Sequence, residues 1–242
     1  MTTPIVLPWP LQSSLEAATR VLFEPVDRPS LDFSQPAGEA ALVSPNSVSW
    51  RLFKNPLSLF IGGVTAVIME LAEPRVRTGV WEHTGFRVDP IRRLRRTGFA
   101  AMVTIYGART SAEAMIARVR RMHDLVAGTT PLGEAYCAND PELLNWVQGT
   151  AAYGFLQAYH AYVQPLSLSE RDCYYAEGIA AAALYGATSA PRSEADLEML
   201  FQATAGRLER SEIVLVPRDH AFDANSAAAP EAVSAPAGTS RN

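Results

Sequence analysis

The chain has 242 residues, 48% hydrophobic and 19% charged, with a formal net charge of −4. That length buries a full core, and the composition is that of an ordinary soluble globular protein. The small acidic balance excludes a general nucleic-acid binder, which carries a clear basic excess.

Met1 to Pro10 has no basic start, and prolines interrupt its apolar residues, so no targeting signal is read there and a cytoplasmic protein is expected. Helix follows helix. The patterns place helices near 12–23, 47–53, 56–72, 74–84, 89–107, 111–127, 141–163, 168–186 and 193–210. Ser13 with Glu16, Thr110 with Glu113 and Ser167 with Glu170 match capping boxes; Ser193 with Asp196 is a weaker version. Asp140-Pro141 pairs an N-cap residue with proline at the first helical position. Segments 24–46 and 129–139 read as loops, and no run alternates as a half-buried strand would. The most apolar stretch, Leu57 to Met69, is closed by Lys54 and Glu70. It falls short of the roughly 20 residues of a membrane span and reads as a buried helix. Cys137 and Cys173 form neither a CxxC pair nor a disulfide framework, so both read as small core hydrophobes in a reducing compartment. From Arg218 onward Ala, Ser, Pro, Asn and Gly dominate, and a disordered tail over 218–242 is expected. The expectation is one all-α domain over 1–217, of about eight or nine helices.

Chemistry concentrates between Arg92 and Gly128. In the helix from Ser111 the apolar face runs Met115, Ile116, Val119, Met122, Val126, and His123 falls among them. Gly128 is expected to close that helix. His123 reads either as a core histidine bonded to a carbonyl or as an axial iron ligand. Arg93 lies one turn before Thr97 on the inward side of the preceding helix. The run around it is either a solvated basic face or a set of arginines that needs an anionic partner inside. Glu82-His83 is a second polar cluster, which joins His123 only in a forced non-haem iron triad. His160 and His220 read as surface residues. Gly62-Gly63 permits close approach of another helix or a flat cofactor. There is no GxGxxG, no GxxxxGK[ST] and no GxSxG, so nucleotide, P-loop and esterase readings lack support.

An ordered set of motifs completes the reading. Ser47-Val48-Ser49-Trp50-Arg51, Gly62-Gly63, the stretch from Ala72 to His83, and Asp89-Pro90 with Arg92 to Thr97 come first. Val119 to His123, Tyr136 to Val147, and Tyr174 to Glu177 follow. Together they resemble the MpaB-type oxygenases, a family that includes the catalytic domain of latex-clearing rubber oxygenases, over roughly residues 44 to 215. The resemblance implies an all-helical, globin-like fold around haem b. It maps the proximal iron ligand to His123 and the Arg-x-x-x-Thr pair of the haem pocket to Arg93 and Thr97. The basic residue near the distal face maps to Arg96, and Glu82 stands in for the family's acidic base. Two departures are visible: Gln148 occupies a position often histidine in the family, and the chain turns to low complexity soon after Arg210.

The resemblance therefore implies a haem-dependent oxygenase-type oxidoreductase acting with dioxygen on a small apolar organic substrate. Arg96, Thr97 and Glu82 take catalytic places, and His123, Arg93 and Thr97 hold the cofactor. Two other readings remain: a non-catalytic helical protein carrying haem or an apolar ligand, and a non-haem iron enzyme using His83, Glu82 and His123.

Overall fold

The computed structural model describes residues 32–210, so the helix expected at 12–23, its Ser13 cap, His220 and the tail expected at 218–242 lie outside the described residues. Among the described residues the fold is all-α, with eight α-helices and one short hairpin. Four helices begin with the same device, a polar cap residue followed by proline, whose missing N–H costs nothing at the first helical position. Asn55 caps α2 (Pro56–Glu70), Glu73 caps α3 (Pro74–His83), Asp89 caps α4 (Pro90–Tyr106) and Asp140 caps α6 (Pro141–Tyr162). The short α1 (Val48–Leu52) starts on Ser47, and α8 (Glu194–Thr204) starts on Ser193. The capping box of Ser167 and Glu170 is formed at the start of α7 (Leu168–Tyr185), which ends on Gly186 at φ 104°, a left-handed conformation suited to glycine.

Four expectations are corrected. Helix α5 (Arg109–His123) has no side-chain cap of its own; the Glu39 carboxylate accepts from Thr110 N and Oγ1 at 2.7 and 2.9 Å instead. An outside carboxylate satisfies that first turn, so Thr110 and Glu113 form no box. The helix also stops at His123 rather than running to Gly128, because Asp124 caps it and Val126 N turns back to the His123 carbonyl. Gly128 sits instead in β1 (Ala127–Thr129), paired antiparallel with β2 (Ala135–Cys137) inside a stretch expected to be loop. Three-residue strands are too short to show alternation. Finally, both cysteines are free and exposed rather than buried. Cys137 follows the one inward residue of its strand, Tyr136, and Cys173 lies on the outer face of α7 beside Glu177.

The core is built where α2 and α6 meet. A Cβ on Gly154 would stand 2.5 Å from the Gly62 carbonyl oxygen, and one on Gly62 would stand 2.7 Å from the Phe155 Cα. The two glycines thus let the backbones touch. Leu52, Phe53, Leu59, Ile105, Leu156, Tyr159, Tyr174 and Leu197 pack around this junction. Helix α8 closes over α6 through Phe201, edge-on to Trp146 and Tyr153 at 5.7 and 5.4 Å between centroids. Glu177 of α7 accepts from the backbone N–H groups of Val48 and Ser49, tying α1 down. Among the described residues no single helix is long and apolar enough to cross a membrane, and α2 and α3 meet at a break of 109°.

Candidate functional site

Residues of helices α4, α5, α6 and α7 line a cavity of about 390 Å³, within the range of small-molecule and cofactor sites. Its wall is apolar over most of its area. Leu144, Val147, Ala151 and Phe155 come from α6, and Ile179, Ala181 and Ala182 from α7. Four of the five residues assigned to the site by the resemblance face it: Arg93, Arg96 and Thr97 from α4, and His123 from α5. The spacing explains this. Arg93, Thr97, Ala100, Ala101 and Thr104 recur at three and four residues along α4 and form one face. Gln148 lines the same wall.

Glu82 is placed elsewhere. Tyr136 Oη donates to Glu82 Oε2 at 3.2 Å and lies 3.1 Å from His83 Nε2, fastening the end of α3 to the hairpin. Neither Glu82 nor His83 lines the cavity. Burial first, then the bond to Glu82, pushes the Tyr136 phenol up, so the three form a structural clasp. His160 serves the backbone too: its Nδ1 accepts from Leu166 N at 2.8 Å. Among the described residues no three His, Cys, Asp or Glu side chains come together as a metal site, so the non-haem triad has no geometry here.

His123 is half-buried at the end of α5, and its Nδ1 is buried with no hydrogen-bond partner. Burial, with Arg93 adding to it, lowers its proton affinity, while Asn139 and Asp124 hold it up. The imidazole is therefore favoured as the neutral form, the one that ligates iron. Arg93 extends under the Phe86 ring at 5.7 Å from the centroid, its planar cation braced by the aromatic face.

One acidic residue in the cavity was not singled out from sequence. Glu70, the last residue of α2, is 8% exposed and lines the wall, and burial raises its carboxyl from 4.5 to about 7 against the opposing pull of Arg93. Its signal was faint: a lone acid ending an apolar helix reads as a solvent boundary. The folded protein holds this proton more tightly than the unfolded chain does. Stability therefore falls as pH rises from 4.5 to 7 and levels off above, by about 3 kcal/mol in all. His123 contributes in the opposite sense, so the difference between wild type and Glu70→Gln isolates the acid. That difference should shift in favour of the variant by about 3 kcal/mol between pH 5 and pH 8 in denaturant melts; a pH-independent difference would show that Glu70 is not buried as a free acid.

A smaller alcove of about 40 Å³ opens beside Glu70 and Thr97. It is lined by Leu59, Phe60, Gly63 and Val67 of α2 with Leu94 and Phe155. The apolar face of α2 thus walls the alcove, and the main cavity takes from that region only Phe53, just ahead of the helix, and Glu70. Tyr175, also on the cavity wall, has a buried hydroxyl without a hydrogen-bond partner.

A one-imidazole, two-arginine cavity with apolar walls suits a cofactor that brings its own metal donors and carries negative charge. A family model described as ER-bound oxygenase mpaB/B'/Rubber oxygenase, catalytic domain, matches residues 50–238. The match runs through the stretch that composition set apart as a tail. No curated protein and no solved structure matches the chain. With most of its length matched, from α1 past the last described helix, the chain belongs to the mpaB/rubber oxygenase catalytic-domain family.

Proposed function

We propose that the protein is a haem-b-dependent oxygenase that uses dioxygen on an apolar organic substrate. The observation that carries this is the cavity itself: His123, Arg93, Arg96 and Thr97 converge on one apolar space, with no cluster of protein metal ligands among the described residues. The residues fit the group. A porphyrin supplies four donors, so one neutral imidazole is the protein's share of the iron, and Arg93 and Arg96 present the fork geometry that suits carboxylates such as propionates. Haem, when bound, supplies the oxygen chemistry.

The chain's own residues do the rest. His123 holds the iron. The walls of α6 and α7 exclude water and favour an apolar substrate, which fills the space that remains. Thr97 and Arg96 border the reacting region by family likeness. Glu70, held near neutrality by burial, can keep or release a proton at its carboxyl around pH 7. Among the described residues lining the cavity it is the one carboxylate, which makes it a better-placed proton handler than Glu82.

The alcove gives the substrate's apolar end a seat. A Cβ at Gly63 would lie 3.4 Å from Leu94 Cδ1 and 3.7 Å from Phe155 Cε1, in ordinary contact, so a longer side chain there fills the alcove without opening the helix pair. Gly63→Leu should leave haemin affinity unchanged and reduce kcat/KM roughly tenfold or more, the usual consequence of losing space for even one methylene-sized group. The function is tested by oxygen uptake of the haemin-loaded protein with a panel of unsaturated hydrocarbons. Substrate-dependent uptake supports it. Tight haem retention without uptake on any of them would make the chain a haem carrier.

A further inference from the structure

Besides the Tyr175 hydroxyl, two buried polar atoms at the end of α5 lack partners: His123 Nδ1, on the cavity wall, and Asn139 Oδ1. They belong to neighbouring side chains, since the Asn139 amide is bonded to the last turn of α5 and to Asp124, the residue after His123. Both N–H groups of Asn139 are already used. Nδ2 donates to the Arg120 carbonyl at 3.0 Å and to Asp124 Oδ1 at 2.6 Å, at the end of α5. This fixes the amide. Turning it over would set its oxygen against two other oxygens and its NH₂ against the ring. The backbone around it is fixed as well, by Ala138 N to the Val126 carbonyl and Asp140 N to the Cys137 carbonyl, just before the α6 cap.

From this arrangement we infer that Asn139 is a positioning residue, whose Oδ1 holds His123 as the Nδ1–H tautomer and turns the Nε2 lone pair to the cavity. The inference rests on the haem reading for its purpose but not for its geometry. The pair completes a chain that runs from the last turn of α5 through the Asn139 amide to the imidazole. An acceptor on the distal nitrogen is what a ligating histidine requires, because it selects the tautomer, holds the ring and raises its donor strength.

The test has two arms. In the metal-free protein, long-range ¹H–¹⁵N NMR of the histidine rings should show His123 mainly as Nδ1–H, and Asn139→Leu, which keeps the branched shape and removes the acceptor, should move it toward Nε2–H. An Nε2–H tautomer in the wild type would overturn the inference, and this needs no variant to fold. In the haemin-loaded protein, Asn139→Leu should raise the reduction potential and speed haemin transfer to apomyoglobin by about 10- to 100-fold. An unchanged potential together with an unchanged transfer rate would also overturn it. If the wild type takes up no haemin, the functional reading fails and the tautomer arm decides the inference by itself.

Discussion

The His123→Ala protein should fold and fail to hold haem. The site is the last residue of α5, half-buried and without a hydrogen bond at Nδ1. Alanine is the better helix former and removes one orphaned polar atom, so the fold loses little. The cofactor loses its one imidazole. No thiol, thioether or second imidazole lines the cavity among the described residues; burial holds the tyrosines there as neutral phenols, and Glu70, raised to about 7, is a neutral acid below that pH. Removing the outer partner of a metal-bound histidine costs 10- to 100-fold in affinity, so removing the ligand itself should cost more than about 100-fold. Haemin titration followed in the Soret region, with circular dichroism as a check on folding, measures it. An unchanged spectrum would assign the iron to another residue.

The second large effect is on the scaffold. Gly154→Ala places a methyl 2.5 Å from the Gly62 carbonyl oxygen and 3.0 Å from Ala66 N, both backbone atoms that no rotamer change can move. Alanine in a helix interior is worth about 1 kcal/mol over glycine, but separating two packed helices costs typically 1–3 kcal/mol and sometimes more. The clash wins, and Tm should fall by several degrees. Gly178→Ala is the control: a Cβ there meets nothing within 4 Å, so the same change should raise stability by about 0.5–1 kcal/mol. If both variants melt alike, the α2–α6 contact is looser than described. Because α2 ends in Glu70, a displaced α2 also disturbs the cavity, and Gly154→Ala should lower haemin affinity as well as stability.

Much of this was legible in the chain itself. The cap-then-proline pairs at Asp89-Pro90 and Asp140-Pro141, and the Ser167–Glu170 box, mark helix starts because each supplies an acceptor for N–H groups that the helix leaves open. The spacing of Arg93, Thr97 and Ala101 put them on one face, and that face lines the cavity. What local pattern cannot carry is long-range supply. The start of α5 is capped by Glu39, from a loop far back in the sequence, so Thr110 and Glu113 looked like a box and were not one. Glu82-His83 drew attention as a polar pair, yet its partner Tyr136 lies more than fifty residues on and turns the pair into a clasp. Glu70 carries no motif, and Asn139, though inside the Tyr136–Val147 stretch, has no spacing to His123 that marks its role. Each takes its place in the cavity region from the packing of α2 on α6 and from the hairpin that brings Asn139 back to the end of α5.

The central claim is that this cavity holds haem, and addition of haemin to the purified protein tests it most directly. The absorption spectrum should develop a Soret band that saturates at a single equivalent, shifts on reduction with dithionite, and yields a b-type pyridine haemochrome. A spectrum that remains that of free haemin at every ratio would contradict the account and leave the apolar cavity to a different ligand.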